Sequence, residues 1–311
     1  KIYFIFLTTY GFTKWGDLFN PRQKFSLTVL MYYIKLSYAE MIKQGYEEAE
    51  AKIILSYLAI IFDKLITRNT SFGIWHIGGS GPEKIFGFAA LPMKWFYPEA
   101  NPILNSGKAF TFLGCTKAVL KVVNHLENIP VKHVPEVKHG SIFEHNFKDK
   151  SIDAIFTDPP YYDMMHYSVL SDFFYVWLKR IVGPIFPEIF STTLTPKSEE
   201  CISELELIRG KDKAIFKKEH PEVKDSIFYE KTITKIFVEM FRVLKDNGIT
   251  VIVFAHKSFE TWEIILGAIL KAQFVVTATW PIETEMKSRT KAQDEATVTS
   301  TIYIICRKIK K

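Results

Sequence analysis

The sequence predicts an α/β fold, with buried strands joined by helices, and three observations predict it. Ala154 to Phe156 is a short apolar run that stops on Asp158-Pro159-Pro160-Tyr161. Proline cannot continue a ladder, so a strand ends there and Asp158 sits at its carboxyl edge. From Thr232 to Lys245 the residues Ile233, Ile236, Phe237, Met240 and Leu244 recur at helical spacing. Asn247-Gly248 stops this helix, and Ile249 to Phe254 follows as a wholly apolar strand that should pair in parallel with the first. Phe274 to Trp280 and Thr301 to Cys306 read as two further strands joined by the polar stretch Pro281 to Thr299, with a helix around Trp262, Ile265, Leu266 and Ile269 before them.

Ahead of the sheet lies a helical and loop-rich segment, residues 1–134. Asn20 is a good N-cap, Pro21 fits the first helical position, and a helix is predicted to Lys43. A second runs from Glu47 to Ile66 on an apolar stripe of Ile54, Tyr57, Leu58, Ile61, Phe62 and Leu65. Between Arg68 and Ser106 the chain is turn-rich and aromatic, with Trp75, Phe86, Phe88, Trp95, Phe96 and Tyr97. Gly78-Gly79-Ser80-Gly81 has a nucleotide loop's composition, but Pro82 follows it where a helix is required. Phe110 to Thr116 imitates such a loop better, since a helix to Leu126 follows; the other reading is one helix starting near Ser106.

Residues 135–311 carry the strands. The basic stretch Val131 to His139 reads as a loop with solvated histidines, leading by a strand into Gly140-Ser141 at a second carboxyl edge. After the central motif, Leu170, Phe173, Phe174, Trp177, Leu178 and Ile181 form a core-facing helix; His166 before it reads as a surface residue at the helix start or as one that reaches the site. Lys197 to Asp225 is dense in charge. It reads equally as a solvated face or as a mobile lid that holds substrate phosphates through Arg209, Lys211, Lys213, Lys217 and Lys218.

With 311 residues, 48% of them hydrophobic, the chain can bury a sizeable core and is not disordered. Its net charge of +6 permits a polyanionic partner without demanding one. Cys115, Cys201 and Cys306 stand too far apart for a metal module or a disulfide framework, so no metal and a cytoplasmic location are expected. No apolar run has the length of a membrane span.

The residues at Asp158 suit one reaction. The lone pair of an exocyclic amino group on a nucleobase is delocalised into the ring, so methylating it requires acceptors that hold its hydrogens as the nitrogen becomes tetrahedral. Asp158 supplies one acceptor and the Pro159 carbonyl another, because the Pro159-Pro160 pair has carbonyls but no N–H. Tyr161, with help from Tyr162, offers a flat face for a base drawn out of its stack.

Asp158-Pro159-Pro160-Tyr161 resembles the catalytic tetrapeptide of the amino-group DNA methyltransferases, which modify the exocyclic amino of adenine or cytosine. Thr157 onward through Ser171 to Arg180, together with Phe190 to Glu200, is similar to a group of prokaryotic adenine-specific DNA methylases, as are Asp17 to Gln23 and Val253 to Lys257. The resemblance implies a Rossmann-like methyltransferase sheet, S-adenosyl-L-methionine as cofactor and DNA as substrate. It places the catalytic role on Asp158, Pro159, Pro160 and Tyr161, and cofactor contacts on Asp158, Gly140 and Ser141, although this chain has Ser141 where the family often has an acid. The family's glycine-rich turn and ribose-binding acid have no counterpart here. The sheet is therefore expected to be incomplete and the chain to be the carboxyl-terminal portion of a methyltransferase, its cofactor loop supplied by an upstream segment or partner subunit. Two other readings stay open: a catalytically silent nucleic-acid-binding subunit, and a methyltransferase acting on a protein amide or small planar amine.

Overall fold

The computed structural model describes residues 11–86, 98–143, 146–207, 213–283 and 300–309. The chain divides into two compact units, one of residues 1–134 and 167–198, the other of residues 135–166 and 199–311.

The first unit is helical. In helix α1 (Pro21–Lys43), Asn20 accepts the Gln23 amide while the Gln23 side chain accepts the Asn20 amide, so two amides with no partner inside the helix are satisfied at once. Helix α2 (Glu48–Ile66) follows after Gly45, whose φ of +88° makes the reversal. A two-residue pair, β1 (Trp75–His76) with β2 (Gly81–Pro82), precedes helix α3 (Phe112–Glu127). Helix α4 (Tyr167–Ile181) belongs to this unit, and its Phe173 packs against Trp15, Phe19 and Phe86 in a core with Leu27, Leu55 and Phe62. The expected aromatics Phe88, Trp95, Phe96 and Tyr97 lie outside the described residues.

The second unit holds a four-stranded mixed sheet in the order β3 (Ile152–Thr157), β4 (Leu244–Phe254), β6 (Ser300–Lys308), β5 (Phe274–Glu283). As expected, β3 and β4 are parallel neighbours, with Ala154 beside Ile249 and Thr157 beside Ile252, and β5 and β6 form an antiparallel pair. Two helices, α6 (Ser226–Val243) and α7 (Phe259–Lys271), share one core with the sheet through Tyr229, Ile233, Phe237, Ile252, Phe254 and Ile265. The α/β class is thus observed.

Three expectations are corrected. Helix α6 begins six residues earlier than Thr232, because the Asp225 carboxylate caps it by accepting the Phe228 amide. It ends at Val243, and Asn247-Gly248 lies within β4 instead of stopping the helix. A Cβ on Gly248 would come within 2.7 Å of Leu244, so glycine here permits the irregular register that lets β4 begin at once. Residues 131–141 form no strand. Val131, Val134 and Val137 are three apart, which cannot line one face of a strand, and Pro135 interrupts them. The charged segment after Lys197 contains regular structure among its described residues, in keeping with the solvated-face reading. It forms a short 3₁₀ turn (Leu205–Leu207) and helix α5 (Lys213–Glu219) around Leu205, Phe216 and Val223.

Candidate active site

Asp158 directly follows the last residue of β3, as the strand-ending prolines require. Pro159 is buried, while Asp158 is exposed. Among the described residues nothing hydrogen-bonds the Asp158 carboxylate or the Pro159 carbonyl. The next carbonyl is engaged twice: Pro160 accepts the hydroxyl of fully buried Tyr229 at 2.9 Å and the amide of Tyr162 at 3.1 Å. The double-proline turn is therefore tied down through the Pro160 carbonyl, while the two acceptors before it have no donor among the described residues.

The tie continues along the chain. Tyr162 has a φ of +52°, a left-handed conformation that a tyrosine adopts only when its surroundings impose it. Here the Ser203 amide donates to the Tyr162 carbonyl at 2.9 Å, and the Tyr162 ring meets Tyr229 and His256 edge-on at 5.1 and 6.0 Å. Burial pushes the Tyr162 phenol above its ordinary range. The Tyr161 ring stands edge-on to Phe254 at 5.3 Å.

Asp163 closes the arrangement. Its carboxylate lies 2.9 Å from His256 Nε2, and the Ser258 amide donates to His256 Nδ1 at 3.0 Å. An Nδ1 that accepts an amide proton leaves the proton of a neutral ring on Nε2, so His256 donates to Asp163. That hydrogen bond holds the Asp163 carboxyl below the usual carboxylate range, against the opposing effect of burial. The histidine is itself fixed, since its carbonyl accepts Trp262 Nε1–H at 3.0 Å. The end of β4 is thus bolted to the turn that follows β3.

Sequence reasoning singled out Asp158, Pro159, Pro160, Tyr161 and Tyr162, and the fold brings them together by contiguity. It did not assign roles to Asp163, His256, Tyr229 or Ser203. The available signal was His256, a titratable residue two positions beyond the apolar end of a strand. Gly140 and Ser141 lie in the exposed or half-exposed loop described above and not at a sheet edge.

The glycine-rich runs do not fit a cofactor cradle. In Gly78–Gly81 the Gly79 amide donates to His76 Nδ1 at 2.8 Å, and a Cβ on Gly81 would strike the Phe110 ring at 2.3 Å. Before Phe110–Thr116, the described residues 98–109 form no strand. Thr111 caps α3 by accepting the Gly114 amide, and a Cβ on Gly114 would lie 2.0 Å from the Lys108 carbonyl oxygen. Gly81 and Gly114 serve close packing and the Gly79 and Gly114 amides are already engaged, so no step through a bound cofactor is derived from these runs. Of the expected phosphate clamps, Lys213 pairs with Glu206 and Lys217 with Asp225, Lys218 is exposed, and Arg209 and Lys211 lie outside the described residues.

The three cysteines are buried and carry no disulfide, and burial pushes the Cys201 and Cys306 thiols up to about 12, which removes them as nucleophiles. Among the described residues no group of three or more His, Cys, Asp or Glu could hold a metal ion, and no helix is long and apolar enough to cross a membrane. No protein-family model matches the chain, and no curated protein matches it.

Proposed function

We propose that this chain carries the base-binding and catalytic portion of an S-adenosylmethionine-dependent methyltransferase acting on the exocyclic amino group of a DNA base, with adenine the expected target. The observation that carries the reading is the division of acceptors at the turn after β3. The Asp158 carboxylate and the Pro159 carbonyl have no protein donor among the described residues, while the Pro160 carbonyl is committed to Tyr229 and Tyr162. Two free acceptors on a rigid backbone are what an amino group needs as its nitrogen turns tetrahedral. Tyr161 is assigned the stacking role. Tyr162, with ring edges of Tyr229 and His256 against it, is assigned a supporting one. The sulfonium cofactor would supply an activated methyl group, and its peptide cradle would come from a segment or subunit other than the residues described here.

One observation favours a second reading, a silent nucleic-acid-binding subunit: both glycine runs have engaged amides. The deciding experiment is transfer of a labelled methyl group from S-adenosylmethionine to DNA by the complete natural enzyme, with RNA and protein as parallel acceptors, followed by nucleoside analysis. Label in the amino group of adenine supports the first reading. Label in protein alone assigns the turn to an amide substrate, and DNA binding without label in any acceptor assigns it to the silent subunit.

A further inference from the structure

We infer that the outer edge of β3 and the apolar sheet face beside it form one docking surface, and that its occupant is a strand-then-helix segment of polypeptide that pairs in parallel with β3. Among the described residues β4 is the only strand beside β3, so the backbone groups along its other edge have no ladder partner. Edge strands are normally guarded by a lysine or a proline within them, and β3 has neither. Its one charge, Asp153, is bonded to Lys245 of β4, and its irregular register is confined to the start, between Ile152 and Ala154. The two faces of the sheet also differ. Ile155, Ile252, Phe254 and Cys306 belong to the core shared with α6 and α7. On the opposite face the register sets Phe156 beside Val251 and Val251 beside Ile305, and the Phe156 ring meets Tyr303 edge-on at 5.6 Å, so this apolar layer is continuous. Its exposure rises toward β3: Ile305 is buried, Val251 and Tyr303 are half-exposed, Ala154 is exposed and Phe156 is 66% exposed.

The two vacancies together select the occupant. A row of unpaired backbone groups is matched by an extended strand, which satisfies donors and acceptors at once. Sheets with parallel pairs are covered on both faces, and an apolar layer of this kind is matched by the apolar stripe of a helix. Handedness joins the two. Helix α6 lies between β3 and β4 in the chain and packs on the core face. A parallel strand on the free edge whose right-handed connection leads away from β3 lays its helix on the other face, which is the open one. A second copy paired edge to edge about a twofold axis would bring a strand without a helix and leave Phe156 in water. The incoming strand ends on the same side of the sheet as Asp158, where an open sheet holds its ligand. On the methyltransferase reading, on which this last step rests, the segment is the one that carries the cofactor cradle.

The test places a photoreactive benzoylphenylalanine at Phe156 of the complete natural protein, purified with the subunits that accompany it, and maps the crosslinked peptide by mass spectrometry. The expected partner is a segment outside residues 1–311 that reads as an apolar strand followed by an amphipathic helix. Hydrogen exchange of the β3 peptide in the complete protein should be slower than in residues 1–311 alone by about 100-fold or more. Ala154→Lys with Phe156→Lys should abolish that slowing while leaving the melting temperature of residues 1–311 unchanged, because both side chains are exposed. A crosslink within residues 1–311 or to a second copy, no crosslink at all, or β3 exchange equally fast in both samples overturns the inference. None of these readouts uses methyl transfer, so a failure of docking and a failure of the methyltransferase reading are told apart.

Discussion

The turn at 158–163 and the glycine runs at 78–81 and 110–116 contain the same kind of material, tight backbone with polar groups, and dispose of it in opposite ways. At Asp158 and Pro159 the acceptors have no donor among the described residues, and the hydrogen bonds that stiffen the turn are made on the residues that follow, by Tyr229 on Pro160, Ser203 on Tyr162 and His256 on Asp163. At Gly79 and Gly114 the amides are consumed at once by His76 and Thr111. A motif's composition announces that a turn will be tight. Only the destination of its hydrogen bonds separates a site from a splice between elements.

The contrast breaks most visibly at Asp158. On the proposed function, Asp158→Ala is expected to lower methyl transfer by about 10³-fold or more while the melting temperature holds, because an exposed acceptor at a strand end would contribute to the transition state and not to the core. Comparable turnover in the variant would reduce the motif to a turn.

Loosening the bolt behind the site should cost less. His256→Phe keeps an aromatic ring against Phe254 but removes the donor to Asp163, leaving a half-buried carboxylate without its partner, a loss of about 1–3 kcal/mol in denaturant unfolding. His256→Gln, which retains a donor, should recover part of it. The pH dependence has a definite sign. Asp163 is held below its unfolded value, so its contribution is complete above the unfolded carboxylate pKa of about 4 and is lost as the pH falls through the folded one. Asp163→Asn should therefore be less stable than the natural chain at neutral pH, and the difference should shrink on acidification. A constant gap across the acid range would contradict the assignment.

The glycines should respond as packing positions. Gly114→Ala forces a Cβ onto the Lys108 carbonyl oxygen and should destabilise by about 1–3 kcal/mol. Gly79→Ala meets only the His76 ring, at 2.9 Å and on the surface, and should change stability by less than about 1 kcal/mol. Thermal unfolding of both variants ranks them.

Legibility followed the range of the interactions. Asn20-Pro21 foretold the start of α1, and the apolar run stopped by two prolines foretold β3, because caps and breakers act within a few residues. The parallel pairing of β3 with β4 also followed from the order of elements. What the sequence hid was set by distant partners. Gly248 looked like a helix stop until Leu244 was seen to occupy its Cβ space, and the roles of His256 and Tyr229 required a fold that carries them to a turn 93 and 69 residues away. The strand expected before Gly140-Ser141 is absent for a local reason: the valines there are spaced by three and Pro135 interrupts them, so no face of a strand can form.

The difference between free and committed turns is tested most directly by calorimetric titration of S-adenosylmethionine into the chain of residues 1–311. With both glycine runs committed, two or three hydrogen bonds to the ligand are missing, a loss of about 3–6 kcal/mol, or two to four decades of affinity. The expected result is no measurable binding at ordinary concentrations, with binding appearing when a segment bearing a glycine cradle is supplied. Low-micromolar binding by the chain alone would contradict the account and return Phe110 to Thr116 to the role of a cofactor loop.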